Sequence, residues 1–418
     1  MVELDAIYPL TPLQHGMLYH SLAAPRLGVD IEQLVFDLPE LIDPSAFRAA
    51  WEKLVARHAV LRTSFRWSGV TEPQQEVARA IVLPWTQLDW TAATGAEPET
   101  RLAALLATDR TLGFELNQGP LLRLTLIQLA SAHWKLIWTF HHAILDGRSF
   151  APLIQEVFAL YAASPDATPA APELPPSFRD HVAWLRGQDL AASEIFWRQT
   201  LAGFGAPTPL PGERKTPPAA ECRSGHYARR LSADTAAALR RFAQTNALGV
   251  GTLVQAAWAL TLSRHSGQRD VVFGVTRAGR PFALPDRATA IGLFINTLPL
   301  RLDVDPDLPL AAWLAEVRAR WNALRPHEHS PLASVQSWSE ITAGQPLFES
   351  LVVFENHQLE EKLRGLGDAW EARSFTLHEQ TNFPLTLAVN DGTRLALTLQ
   401  FDRTRIDDAT AERLAQHV

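Results

Sequence analysis

A chain of 418 residues, 47% hydrophobic and 20% charged, is an ordinary globular protein too long for a single core, so two domains of roughly 200 residues each are expected. A net charge of −7 and an isoelectric point near 6.1 argue against nucleic acid as the main partner, and the single cysteine, Cys222, excludes an internal disulfide or a thiolate zinc cluster and fits a reducing compartment. No apolar run approaches the roughly 18 residues of a membrane span, and acidic residues rather than a signal sequence follow Met1, so a soluble cytoplasmic protein with neither nucleic-acid nor membrane partners is expected.

Near the N-terminus, Thr11 is placed to cap a helix that has Pro12 at its first position. Gln33–Phe36 reads as a strand. Asp43-Pro-Ser opens a helix whose stripe is Phe47, Trp51, Leu54 and Val55 and which runs to about His58. Leu61–Phe65 and Gln74–Val77 form a strand pair, and Glu97–Leu112 is a second helix. Leu122, Leu124 and Leu126 alternate in a strand joined by a short loop around Ser131 to Trp134–Phe140. There Trp134, Leu136, Trp138 and Phe140 alternate with Lys135, Ile137 and Thr139, the period of a strand with one buried face. His141 and His142 follow where the alternation stops. Asp146, Gly147 and Ser149 come next, then Phe150, Leu153, Ile154, Val157, Phe158 and Tyr161 at helical spacing.

The best boundary is Ser164–Ser177, a stiff connection with five prolines and little that could build a core. It separates an N-terminal lobe, 1–163, from a C-terminal lobe, 178–418. In the second lobe helices are expected at Phe178–Leu201, Ala233–Asn246, Gly251–Ser266 and Leu308–Ala323. Strands are expected at Asp270–Gly274, Leu293–Leu302, Leu351–Phe354, Phe383–Val389 and Leu395–Phe401. The fold class is α/β, drawn as two similar lobes with a cleft between them, where substrate sites are favoured. Val418 falls inside what reads as a helix, as though the sequence were trimmed from a longer one.

Two imidazoles at a strand end, just before a helix, project from a rigid layer. An imidazole with a pKa near 6.5 can take or hold a proton at neutral pH. Asp146 is expected to orient the loop through an ion pair, and Gly147 lets a substrate approach the backbone, its N–H facing a developing oxyanion. That set suits acyl transfer from a thioester to an amine without a covalent enzyme intermediate. Two alternatives stay open. Adjacent strand residues point to opposite faces and chelate one zinc ion poorly, and a hydrolase built on Ser149 lacks a G-x-S-x-G elbow.

HHAILDG at 141–147 matches the HHxxxDG signature of condensation domains of nonribosomal peptide synthetases, relatives of chloramphenicol acetyltransferase. YPLTPLQHGMLYHSL at 8–22 and RHAVLRTSF at 57–65 resemble the family's first two motifs. FRDHVAWLRGQD with FWRQTL at 178–201, SGQRDVVFGVTRAGRP at 266–281, IGLFINTLPLR at 291–301 and TNFPLTL at 381–387 resemble its later ones, in order and spacing. The resemblance covers nearly the whole chain. It implies two chloramphenicol-acetyltransferase-like lobes in a V-shaped pseudo-dimer with the active site at their interface.

The same resemblance implies that His142 deprotonates or positions the attacking α-amine, or stabilises the tetrahedral intermediate. His141 and Asp146 are then supports, with Arg280 the preferred partner of Asp146 and Arg62 the fallback, while Gly147 lies beside the substrate channel. Arg148, Ser149 and Asn382 are the candidate substrate-binding residues. Arg148 stands where many relatives carry an aromatic residue, and is expected to line the donor channel or to be a solvated surface arginine. No metal and no permanently bound cofactor is implied, the substrates being carried on coenzyme A and on carrier-protein 4'-phosphopantetheine. Downstream adenylation and peptidyl carrier domains are the implied partners.

The histidine motif excludes heterocyclising relatives, and its intact Asp-Gly step argues against epimerising ones. Met1 lies seven residues before the opening motif. If that is the natural start, a starter domain that N-acylates the first amino acid from a fatty acyl-CoA is favoured over a chain extender with a carrier-bound peptidyl donor. A noncatalytic recruiting module on the same scaffold is the remaining class.

Overall fold

The computed structural model describes residues 3–24, 27–163, 177–214, 223–280, 289–355, 359–367, 369–392 and 394–418. The chain divides into two compact units that interleave along the sequence: 1–187 with 280–294 and 359–380, and 188–279 with 295–358 and 381–418. The expected division after Ser177 therefore falls inside the first unit, which also takes two segments from the expected C-terminal lobe. Of the proline-rich stretch only Ser177 is described; the remainder of that stretch, and Cys222, lie outside the described residues.

Local chemistry sets the element starts in the first unit. The Thr11 hydroxyl accepts from the Gln14 N–H (3.3 Å) while the Gln14 carbonyl oxygen of the side chain accepts from the Thr11 N–H (2.8 Å), a reciprocal box opening the helix Pro12–Ala23. The Asp43 carboxylate accepts from the N–H groups of Ser45 and Ala46 at the start of Pro44–Arg57. Glu97–Leu112 forms as the periodicity predicts. Three antiparallel strands, in the order Leu4–Pro9, Gln74–Ala78, Thr63–Arg66, make a small sheet.

The main sheet of this unit has five strands in the order Ser374–His378, Ile31–Leu38, His133–His141, Leu122–Ala130 and Trp85–Asp89, only the last pair being parallel. His133–His141 is its centre. The expectation of one buried face needs correcting, because Ile137, Thr139 and His141 are buried as fully as Trp134, Leu136, Trp138 and Phe140. On one side Leu102 and Leu106 of the Glu97–Leu112 helix cover Val35, Ile127 and Ile137. On the other an aromatic stack runs through Trp51–Trp138 (5.2 Å between ring centroids), Trp138–Phe140 (4.8 Å) and Phe140–Phe150 (5.4 Å).

The second unit holds a six-stranded sheet ordered Asn296–Asp303, Asp270–Arg277, Ser350–Glu355, Leu385–Asp391, Leu395–Asp402, Ser224–Arg230. Its core includes Trp258 from the helix Val250–Ser266, Phe273, Leu298, Leu387 and Leu399. The single helix expected over Phe178–Leu201 is two, Phe178–Arg186 and Leu190–Thr200. Gly187 ends the first, and the Asp189 carboxylate caps the second by accepting from Ala191 and Ala192. The break coincides with the passage between units. No helix among the described residues is long and apolar enough to cross a membrane.

Trp138→Ala should lower the free energy of unfolding by about 3–5 kcal/mol, because the indole is fully buried in the middle of the stack. Urea denaturation checks this, and a loss below about 1 kcal/mol would contradict the packing described.

Candidate active site

The strand His133–His141 ends on the first histidine, and two short 3-10 turns, His142–Ile144 and Gly147–Ser149, lead into the helix Phe150–Ala162. The two imidazoles are therefore held by different backbone geometry, and their hydrogen bonds give them different jobs. His141 is 2% exposed; its Nδ1 accepts from the Ala143 N–H (3.1 Å), so the ring proton sits on Nε2 and is donated to the Ser21 hydroxyl (3.2 Å). Burial, with the neighbouring His142 ring adding to it, pushes the His141 pKa down to about 3. It stays neutral and supports the turn.

His142 is the reverse. Its Nδ1 lies 2.7 Å from the Leu145 carbonyl oxygen, which can only accept, so Nδ1 carries the proton and, in the neutral ring, Nε2 keeps its lone pair. Its side chain keeps 21% of its surface accessible. Burial pulls its pKa down, but the carboxylates of Glu32 and Asp30, the bond to Leu145 and Glu379 outweigh that and hold it above the ordinary value. The Glu32 carboxylate stands 3.8 Å from Nε2.

Asp146 caps the second turn and is completely buried. Its two oxygens meet both terminal nitrogens of Arg280, at 2.7 and 2.9 Å. The Phe294 N–H (2.9 Å) and Arg148 N–H (3.1 Å) also donate to it, and its own N–H goes to the Gly292 carbonyl (3.0 Å). Of the two arginines expected to serve Asp146, Arg62 is engaged elsewhere, with Asp5 and the carbonyls of Ala78 and Arg79. Gly292 has φ +152°, and a Cβ there would fall 2.5 Å from the Phe178 ring, so glycine is needed where this segment packs.

Ser149 requires correction as a substrate-binding candidate. It is fully buried, and its hydroxyl bonds both the N–H and the carbonyl of Gly292 (3.1 Å each), leaving no surface for a ligand. Gly147 is partly exposed, and the Arg148 side chain is exposed beside it. Asn382 is exposed in the second unit. The Gln14 amide, from the opening motif, donates to the Ala143 carbonyl (2.8 Å) and so ties the first helix to the histidine turn. Among the described residues no three His, Cys, Asp or Glu side chains are grouped to hold a metal ion.

Glu32 and Asp30 escape a reading of the sequence alone. Glu32 pairs with Phe140 and Ile31 with His141 across the sheet. One further step sets Asp30, whose carbonyl accepts from the His142 N–H (2.7 Å), opposite the second histidine. Both acids are buried. The signal lies in the D-I-E spacing, two acids alternating into an apolar strand, but only the register says what they face. Arg110 fixes this loop by donating to the carbonyls of Gly28, Ile31 and His378. Gly28 has φ +67°, and a Cβ there would run into the Arg110 side chain.

A family model described as "Condensation domain" matches residues 5–418. Linear gramicidin synthase subunits B and C of Brevibacillus parabrevis are 40% and 38% identical, over 98% and 100% of this chain. The chain spans 8% and 5% of the lengths of those two relatives. Among solved structures, the starter condensation domain of rhizomide synthetase RzmA, a mutant in complex with C8-CoA and Leu-SNAC, superposes with a TM-score of 0.79 at 22% identity, covering 98% of this chain and 92% of that one. The X-domain from teicoplanin biosynthesis superposes with a TM-score of 0.79 at 25% identity, over 98% of this chain and 92% of its own.

Removing the Asp146 charge strands a buried guanidinium, so Asp146→Asn should cost about 3–5 kcal/mol of stability by urea denaturation; a change under about 1 kcal/mol would contradict the assignment of this pair. His141 adds a pH dependence. Its folded pKa of about 3 lies below the unfolded 6.5, so an unfolded chain gains a proton that the folded one refuses, and stability falls as pH drops from 6.5 towards 3. His141→Gln should flatten that limb of the stability–pH curve, and an unchanged slope would contradict a neutral His141.

Proposed function

We propose, from the premise that this chain belongs to the condensation-domain family, that it joins an acyl thioester to the α-amine of a carrier-bound aminoacyl acceptor. Condensation domains catalyse amide-bond formation, an acyltransferase-type reaction. Their chloramphenicol-acetyltransferase-like α/β fold is the fold found here. The observation that carries the reading is the His142 ring. Its Nδ1 proton is spent on Leu145, Nε2 is left as the ring's other nitrogen, and 21% of the side chain stays accessible.

In this reading the acceptor amine gives a proton to His142 Nε2 and attacks the thioester carbonyl carbon. A C–N bond forms and the C–S bond breaks; the amine having entered as an ammonium, its second proton goes to the leaving sulfur and its third stays on the amide nitrogen. His141, Asp146 and Arg280 hold the turn in place without touching the substrate, since all three are buried. Gly147 is the proposed residue beside the reacting groups, the exposed Arg148 is proposed to bind the donor, and Asn382 remains a substrate-binding candidate. The acceptor arrives on a carrier's phosphopantetheine, and adenylation and peptidyl carrier domains are the proposed neighbours, as in the four-domain synthetase whose fold this chain shares at 19% identity.

Two donors suit this chemistry. The gramicidin synthase relatives at 38 and 40% identity favour a carrier-borne peptidyl donor, as in chain elongation. The likeness to a starter domain holding C8-CoA favours a fatty acyl-CoA and lipid capping of the first amino acid, but at 22% identity it speaks for the fold alone. Elongation is therefore the favoured subtype. A cytoplasmic setting fits either.

Reconstitution with an aminoacyl-loaded carrier and, in parallel, acyl-CoA or acyl-loaded carrier should yield an amide with the carrier-borne donor. His142→Ala should lower the rate by about 100-fold or more, the range of a lost general base, with folding unchanged by circular dichroism. Amide made only from acyl-CoA would select the starter reading. No amide from either donor, or equal rates in the two proteins, would leave the recruiting module.

A further inference from the structure

The capping box that opens the first helix uses only one end of the Gln14 side chain. Its Oε1 accepts from the Thr11 N–H (2.8 Å), a task that glutamate performs equally well. The other end, Nε2, has two protons and two buried acceptors, Gln75 Oε1 at 3.0 Å and the Ala143 carbonyl at 2.8 Å. Gln75 Nε2 donates in turn to the Pro9 carbonyl (3.0 Å). Gln14 and Gln75 are each 1% exposed. Burying two carboxamides is costly unless their polar ends are met, so their presence asks for a reason beyond filling space.

The direction of this chain of bonds is fixed at both ends. Pro9 and Ala143 present carbonyl oxygens, which only accept, so Gln75 turns its Nε2 to Pro9 and its Oε1 to Gln14. Gln14 then turns its Nε2 to Ala143. Gln75 sits on the middle strand of the three-stranded sheet, paired with Tyr8 on one side and Phe65 on the other, so the chain starts from a rigid point. It ends on the residue next to His142. The Ala143 carbonyl belongs to the 3-10 turn His142–Ile144, and the Leu145 carbonyl that receives the His142 Nδ1–H follows two residues later. Ser21, seven residues after Gln14 and so on the same helix face, meets the His141 ring (3.2 Å). The first helix thus grips the backbone immediately after His142 and the side chain immediately before it.

We infer that Gln75 and Gln14 are positioning residues for His142: the Gln75–Gln14–Ala143 chain holds the turn so that the Leu145 carbonyl stays opposite Nδ1 and Nε2 is the nitrogen left for the reacting amine. The inference rests on the amide-forming reading above for its kinetic consequence. Both amides are buried and act through the backbone of the turn. Cutting the chain leaves the buried Ala143 carbonyl without its donor, and the turn shifts to find another. The peptide groups of 143–145 then rotate, the bond from Nδ1–H to Leu145 lengthens, and the ring is no longer held to one orientation. A displacement of about 1 Å at a reacting group costs up to about a hundredfold in rate. The loss falls on kcat, because the surfaces that bind donor and acceptor are unchanged.

Methionine matches glutamine in length and offers neither an N–H nor a carbonyl. With acyl-loaded and aminoacyl-loaded carriers, Gln14→Met should lower kcat by about 10- to 100-fold and leave both KM values unchanged; Gln75→Met should do the same to a smaller extent. Because the two residues act in series, the double variant should be no slower than Gln14→Met alone. In spectra of 15N-histidine-labelled protein without substrates, the Nδ1–H of His142 should exchange with solvent faster in Gln14→Met than in the wild type. A double variant whose loss is the product of the single losses would overturn the inference. So would a raised KM with unchanged kcat, or an Nδ1–H equally protected in both proteins. A wild type that makes no amide, with the Nδ1–H still released by Gln14→Met, would overturn the amide-forming reading and support the positioning of His142. Where neither variant folds, the wild type decides. Its Gln14 side-chain amide protons should exchange about a hundredfold or more slowly than those of an exposed glutamine, and ordinary exchange there would overturn the inference.

Discussion

A single buried ion pair holds the histidine loop. Asp146 and Arg280 are separated by 133 intervening residues, yet they meet through two parallel hydrogen bonds with neither side chain appreciably exposed. Such a pair is a poor source of net stability, because desolvating both charges offsets most of their attraction. Its value lies in geometry. Two backbone N–H groups and Arg280 occupy the Asp146 oxygens, so the carboxylate can neither rotate nor accept a substrate proton. The turn between strand and helix has one place to be, and His142 with it.

From that fixed point the division of labour between adjacent histidines follows. The strand period sends their side chains to opposite faces. One ring is sealed under the Pro12–Ala23 helix with its acceptor nitrogen filled by a backbone N–H, and burial keeps it neutral. The other leaves the strand into a 3-10 turn, gives its Nδ1 proton to a carbonyl three residues on, and keeps an open nitrogen beside two carboxylates. Identical side chains thus acquire opposite tautomers and opposite pKa shifts through hydrogen bonding, burial and neighbouring charge. The acids arrive by register rather than by proximity in sequence, since Ile31 pairs with His141.

Much of this is legible in the amino-acid order alone. The cap at Thr11, the helices at Pro44–Arg57 and Glu97–Leu112 and the strand running into the histidines follow from local rules that nothing tertiary overrides. Where expectation and fold part, the reasons are identifiable. A continuous helix over 178–201 suits the apolar spacing, but Gly187 and the capping carboxylate of Asp189 break it. Ser149 looks available beside Gly147, but only the packing of Gly292 shows its hydroxyl to be consumed. The strands Leu4–Pro9, Trp85–Asp89 and Ser374–His378 lack a long alternating run and form because a neighbouring strand offers them partners. Glu32 and Asp30 need a register that no single segment encodes.

The central claim is that adjacent imidazoles carry their protons on different nitrogens, leaving Nε2 of His142 as the basic atom. Two-bond 15N–1H correlation spectra of 15N-histidine-labelled protein, taken above the titration range of His142, test it most directly. Neutral His142 should show its proton on Nδ1 and His141 its proton on Nε2. The opposite assignment, with Nε2 of His142 protonated in the neutral ring, would contradict the account.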